Sequence, residues 1–389
     1  MDHVLCVSIQ QDNYNYLLHS GYVQALKRFG WKVDRLSHQE ACELTEFPAY
    51  DLILWDALIP EKVFRKIKSS TILVVIGGVG DDLSHYERHA GKISLAACSQ
   101  FHLDEPFMLL TPRYFSPIEM VVRPSQYYWV LKFEHRFRKY GSPKFWRRLG
   151  VKHLYLPFAS DWELFHPVPG AKRDLYWSFC GEIKNRPFIK RLMRESNERS
   201  WKYAVKAPEL GSTILPTELN QLYSRTVFGI NEHHLLTFGR ELNQRTFDLG
   251  MSGCFQITDM EWLASSALGP YASFYAGKIS DHADRKFGVD LLAKSEAPDP
   301  DEIHEFFRAN HSFESRLASI GAALGMDVLR GKSSYTASRG SCEVEEVAEA
   351  RSLTTAPHAV TSECRFAEKA VRTGPSSSLL AGIRHRKPR

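Results

Sequence analysis

The stretch LNQRTFDLGMSGCFQITD, residues 242–259, decides the fold. Its first part has helical spacing and ends at the pair Ser252 and Gly253, after which 254–258 is a short apolar run. An amphipathic helix that passes at once into a buried strand is part of a βαβ unit, and such units build parallel sheets. Leu249 and Met251 fall where the helix meets the sheet. Arg245 and Asp248 lie one turn apart, so both can reach one ligand.

The same alternation extends upstream through strands at 226–230, 202–205 and 175–179, with helices at 240–251, 216–224 and 187–198 between them, and downstream into helices at 301–309 and 313–324. The first half repeats it. Strands are predicted at 3–9, 31–36, 51–55, 71–76 and 93–98, and helices at 60–68 and 81–90. Before the second strand, Leu18, Tyr22, Ala25, Leu26 and Phe29 stand at helical spacing and Gly30 closes the helix. Residues 125–150 break the rhythm with aromatics and bases, and 157–172 bring prolines and turns. The expectation is an α/β chain with two Rossmann-like parallel-sheet domains, 1–160 and 161–330, and a disordered tail at 331–389.

Composition agrees with two such domains and narrows the partners. The 389 residues are 43% apolar and 24% charged, with a formal charge of +5, which favours an anionic ligand without demanding one. Seven scattered cysteines show no metal-ligand spacing, so reduced thiols in a cytoplasmic protein are expected. The opening residues lack a basic leader, and the most apolar stretch, TILVVIGGVG at 71–80, is shorter than the ~20 residues that cross a bilayer.

In WSFCGEIKNRPF, 177–188, an apolar strand ends at Gly181 and a polar loop leads into a helix at Pro187. Gly181 admits a ligand close to the backbone, and Lys184 or Arg186 suits a departing diphosphate. A basic loop that merely solvates itself is the competing reading. Arg245 likewise suits a pyrophosphate and Asp248 the hydroxyls of a ribose, against the alternative of a surface ion pair on a helix. His233 follows strand 226–230 at the edge where open α/β sheets hold ligands, although a packed histidine is as ordinary there. Asn243 and Gly253, at the two ends of the Arg245 helix, complete the ligand-binding set.

Three blocks, LPFASDWELFHPV at 156–168, WSFCGEIKNRPFIKRLM at 177–193 and FGRELNQRTFDLGMSGCFQITD at 238–259, resemble the CgeB-like glycosyltransferases, a GT-B family related to the family-4-type enzymes. A weaker fourth block, NHSFESRLASI at 310–320, is similar to that family's closing helix. The resemblance implies two Rossmann-like domains facing a cleft, 1–160 on the acceptor side and 161–330 binding a nucleotide diphosphate sugar as donor substrate. It favours Arg186 over Lys184. The family usually carries Glu where this chain has Asp248, and the first acid of the family-4 pattern is replaced by Arg240, with Glu241 beside it as a substitute.

Three other signals are read as structural. GGVGDD at 77–82 lacks the third glycine of a dinucleotide fingerprint, so its glycines give backbone room and Asp81 or Asp82 either caps a helix or serves an acceptor hydroxyl as base. Asp299-Pro300-Asp301 has the form of a metal-binding DxD but opens a helix, so no metal is expected. The basic aromatic stretch 125–152 is either an amphipathic helix with its aromatics in the core or a peripheral contact with an anionic membrane. Nucleic acid is not expected. The function expected is metal-independent transfer of a sugar to an acceptor hydroxyl or amine, with a catalytically inactive binding or scaffold protein as the alternative.

Overall fold

A computed structural model of the chain describes residues 3–8, 14–56, 59–76, 85–99, 143–183, 186–211, 214–233, 242–259, 261–274 and 292–326. Two sheets organise them. The first joins β1 (His3–Ser8), β2 (Lys32–Ser37), β3 (Leu52–Asp56), β4 (Ile72–Ile76), β5 (Leu95–Cys98) and β6 (Lys152–Tyr155) in the order β2-β1-β3-β4-β5-β6. The second joins β7 (Leu175–Cys180), β8 (Tyr203–Lys206), β9 (Thr226–Asn231), β10 (Phe255–Thr258) and β11 (Ala272–Phe274) in the order β11-β10-β9-β7-β8. Every pairing is parallel. The α/β class and the two Rossmann-like parallel sheets expected from the sequence are thus present. In each sheet the chain winds to one side and then reverses, so a topological switch point falls between β1 and β3 and again between β7 and β9.

The strands form where the sequence has continuous apolar runs, because helices cover both faces of a parallel sheet. Alternate residues of the first sheet feed separate cores: Leu5, Val7, Ile53 and Trp55 on one face, Val4, Cys6, Leu52 and Leu54 on the other. Around it stand α1 (Tyr14–Arg28), α2 (His38–Glu43), α3 (Glu61–Lys66), α4 (Tyr86–His89) and α5 (Pro143–Arg148). In α5, Phe145 and Trp146 enter the core while Lys144, Arg147 and Arg148 are exposed. That is the amphipathic reading of the basic aromatic stretch, of which 125–142 lie outside the described residues.

The second sheet carries α6 (Pro187–Glu198), α7 (Pro216–Ser224), α8 (Gln244–Met251), α9 (Glu261–Leu268) and α10 (Pro300–His311). Asp299 caps α10, its Oδ1 accepting the Asp301 N–H at 2.8 Å ahead of Pro300 in the first turn. The last helix, α11 (Phe313–Leu324), returns to the first sheet, where Phe313, Leu317 and Ile320 pack with Val4, Leu26 and Leu95. Buried Arg316 ties it to the connecting segment, donating to the carbonyls of Pro157, Phe158 and Asn310 and to Nδ1 of His311.

Four elements have no counterpart in the sequence reading: α2, β6, β11 and α9. β6 (KHLY) and β11 (ASF) are short edge strands with no fully buried residue, so neither leaves an apolar run to read. The cysteines Cys6, Cys42, Cys98, Cys180 and Cys254 are free, and burial pushes the thiols of Cys6 and Cys254 up to about 12. No helix among the described residues is long and apolar enough to cross a membrane. The segments 77–82 and 331–389 lie outside the described residues.

Candidate functional site

The switch point of the second sheet gathers most of the residues singled out above. β7 ends at Cys180, and Gly181 follows with φ +145°, a conformation that glycine alone adopts without strain. The missing side chain matters as much as the angle, since a Cβ on Gly181 would overlap Nη2 of Arg245. The chain then turns into α6 through Arg186, whose Nε donates to the Glu182 carbonyl at 2.8 Å and whose Nη1 donates to the Glu232 carbonyl beyond β9.

Arg245, in the first turn of α8, arrives at the same place from the other side. Its Nη1 lies 3.5 Å from the Glu232 carbonyl, and its guanidinium sits 4.5 Å from the centre of the Phe179 ring. Arg186 lies 5.4 Å from that ring centre. Two cations therefore share one aromatic ring and one carbonyl oxygen. Among the described residues no carboxylate reaches ion-pair distance of Arg245.

A buried polar network holds the start of α8 against the sheet. Asn243 caps the helix, its Oδ1 accepting the Thr246 N–H at 3.1 Å while its Nδ2 donates to Asn231 Oδ1 at 3.0 Å. Asn231 in turn donates to Thr246 Oγ1 at 2.8 Å, and Gln256 donates to the Thr246 carbonyl at 2.7 Å. Each bond shields the next from water, so the helix terminus is fixed by a chain of satisfied groups. The α8 N-terminus adds its own partial positive charge near Arg245.

His233 is buried beside this network. Its Nδ1 is 2.5 Å from Asp259 Oδ1, its backbone N–H lies 3.2 Å from both oxygens of the same carboxylate, and its Nε2 is 3.4 Å from Thr246 Oγ1. Asp248, one turn along α8 from Arg245, is not the exposed ion-pair partner of that residue. Its Oδ1 accepts from Ser160 Oγ and from Gln244 Nε2, both at 2.8 Å, and Oδ2 has no donor among the described residues. Burial pushes the Asp248 carboxyl up to about 7, against the opposing pull of Gln244, Ser160 and the Arg245 charge.

The structure brings together Gly181, Arg186, His233, Asn243, Arg245 and Asp248. It sets Gly253 apart, before β10 at the opposite edge of the sheet, where φ is +72° and a Cβ would lie 2.6 Å from the Pro300 carbonyl and 3.0 Å from Pro167 Cγ. That glycine meets a packing need. Lys184 and Glu241 lie outside the described residues. Phe179, Thr246, Gln256 and Asp259 escaped the sequence reading. Phe179 and Gln256 looked like strand interior, but Asp259 leaves a signal, an acid directly after a buried strand at its carboxyl end.

No family model and no curated protein sequence matches the chain. Solved structures do resemble it. The sucrose-phosphate synthase of Thermosynechococcus elongatus shares 12% identity over 83% of this chain and 98% of its own, with a TM-score of 0.47. AviGT4, a glycosyltransferase involved in avilamycin A biosynthesis, shares 9% over 85% of this chain and 98% of its own at 0.48. The DNA-modifying enzyme β-glucosyltransferase shares 12% over 83% and 99% at 0.43. At these identities and scores the likeness says nothing of chemistry, which rests on the strand order and the side chains at the switch point.

Proposed function

We propose that the chain is a glycosyltransferase of the GT-B plan that holds a nucleoside diphosphate sugar at the carboxyl edge of its second sheet. One observation carries the reading: Arg186 and Arg245 converge over Phe179 at the switch point, and Arg245 has no carboxylate partner among the described residues. Two cations held this close repel each other, and an anion spanning both turns that cost into binding. A diphosphate offers such a span. Its negative charge grows as the glycosidic bond breaks, so the same guanidiniums hold the leaving group more tightly in the transition state than in the substrate.

The reading is metal-independent, because Arg186, Arg245 and the start of α8 supply the positive charge. Asp248 meets the ribose hydroxyls through Oδ2, the oxygen that its two protein donors leave open. The acceptor, a hydroxyl or amine, approaches from the first sheet. Within the GT-B group the residue pattern at 177–193 and 238–259 favours the CgeB-like transferases.

A thermal-shift panel of UDP, GDP, dTDP and their sugars identifies the donor, since a ligand that binds only the folded state raises its melting temperature. Arg245→Ala is expected to lower turnover about 100-fold or more and to weaken the nucleotide diphosphate about tenfold. Its melting temperature should stay close to that of the parent, because Arg245 makes a single hydrogen bond of 3.5 Å. Activity should survive a chelator. Unchanged turnover in Arg245→Ala would remove the core of the reading, and no response to any nucleotide would leave a non-catalytic binding protein.

A further inference from the structure

The peptide unit between Glu232 and His233 has both ends committed. Its carbonyl receives Nη1 of Arg186 and faces Nη1 of Arg245 at 3.5 Å. Its N–H lies 3.2 Å from each oxygen of Asp259. The same carboxylate holds the imidazole of His233 through Nδ1 at 2.5 Å, so one acid grips one residue at two points, main chain and ring.

Asp259 stands just past β10, beside β9 in the sheet, where Thr258 pairs with Asn231. Thr258 Oγ1 donates to the Asn231 carbonyl at 2.8 Å, which fixes the preceding peptide as well. Rotation of the Glu232–His233 plane would break both contacts to Asp259 and swing the carbonyl away from the guanidiniums. An amide plane is rigid, so fixing its N–H fixes its C=O.

We infer that Asp259 is a positioning residue for donor binding: by clamping His233 it aims the Glu232 carbonyl at Arg186 and Arg245, and so holds the two guanidiniums at the spacing a diphosphate spans. Asp259 touches neither arginine in this arrangement. The carbonyl dipole offsets part of the repulsion between the two cations while engaging a single N–H of Arg245, whose other donors can meet phosphate oxygens. A carboxylate in the carbonyl's place would bind the arginines too well and compete with the ligand. Asp259 is kept from doing so by being spent on His233.

The inference rests on the donor-diphosphate reading, and its test separates the two. The probe is inorganic pyrophosphate, which needs no choice of base, followed by calorimetry on the full chain, with UDP and GDP in parallel. Asp259→Ala is expected to weaken pyrophosphate at least tenfold. Asp259→Asn, whose amide oxygen still accepts the His233 N–H, should stay within about threefold of the parent. In an Arg186→Ala background the cost of Asp259→Ala should shrink, because the carbonyl has lost its principal guest. Where Asp259→Ala gives no cooperative melt, Asp259→Leu, close in shape, is read in its place.

Parent-like binding by Asp259→Ala overturns the inference. So does an equal loss in Asp259→Asn, which would assign the effect to charge instead of orientation, or an undiminished cost in the Arg186→Ala background. In each of these outcomes the donor reading stands as long as Arg245→Ala still loses pyrophosphate. If Arg245→Ala binds pyrophosphate as the parent does, the donor reading falls and the inference with it.

Discussion

The two sheets share the strand order around their switch points and differ in what lies inside them. In the first, β1, β3 and β4 are apolar nearly throughout, and the one fully buried polar side chain on them, Ser8 at the carboxyl end of β1, has an Oγ with no hydrogen-bond partner among the described residues. In the second, Ser178, Thr226, Asn231, Gln256 and Thr258 are buried within the strands: Thr226 bonds Ser178, Thr258 bonds the Asn231 carbonyl, and Asn231 and Gln256 reach Thr246 at the start of α8. An apolar sheet needs only volume to be filled. A sheet with polar groups in its interior must satisfy each of them, and by doing so it fixes the position of whatever they bond.

The largest expected effect that sharpens this contrast comes at Gly181. Gly181→Ala places a methyl against Nη2 of Arg245 at a φ that strains any side chain. Pyrophosphate affinity should fall about tenfold or more with a loss of stability near 1–2 kcal/mol, measured by calorimetry and by denaturant melting. A change in stability with no change in affinity would break the link between the glycine and the arginine pair.

Asp248 gives a pH test of the second sheet. Its carboxyl titrates at about 7 in the fold because of burial, and near ~4 in an unfolded chain. The folded state therefore holds the proton more tightly, and stability falls as pH rises from about 4 to about 7 and changes no further above that. His311, whose imidazole is pushed down to about 3 by burial and then by the Arg316 charge, works in the opposite sense, losing stability as pH falls below ~6.5. Asp248→Asn isolates the first term, since His311 is common to both proteins. Ligand-free Asp248→Asn should gain on the parent by a few °C between pH 4 and 7. A constant offset across that window would show that Asp248 ionises as freely in the fold as in the unfolded chain.

The smallest effect belongs to the first sheet. Ser8→Ala removes an unpartnered buried hydroxyl, so melting should be unchanged or raised by up to about 1 kcal/mol. Destabilisation would mean that the first switch point has a polar requirement of its own.

Much of this architecture is legible in the sequence, and for a physical reason. Runs such as 52–55 and 72–76 cannot be soluble unless covered on both faces, so they announce buried parallel strands. Pro187 and Pro216 mark the starts of α6 and α7, where the helix wants no N–H. At the site, Arg186, Arg245 and Gly181 were recognisable from their place at strand and helix ends. What sequence hides is direction. Nothing in the string tells that Asp248 turns to Ser160, 88 positions away, or that Asp259 grips His233 across a sheet register. Gly253 shows the reverse error, a glycine expected to serve a ligand and required instead by the proximity of Pro300 and Pro167.

The return of α11 to the first sheet bears on how this protein can be recombined. A chimera cut at the linker near residue 160 would leave the face of Val4, Leu26 and Leu95 bare, because Phe313, Leu317 and Ile320 would travel with the wrong half. An exchange of the first-sheet module between relatives must therefore take two separate pieces of chain, the leading sheet and the closing helix, with Arg316 and its carbonyl partners at Pro157 and Phe158 coming from the same parent.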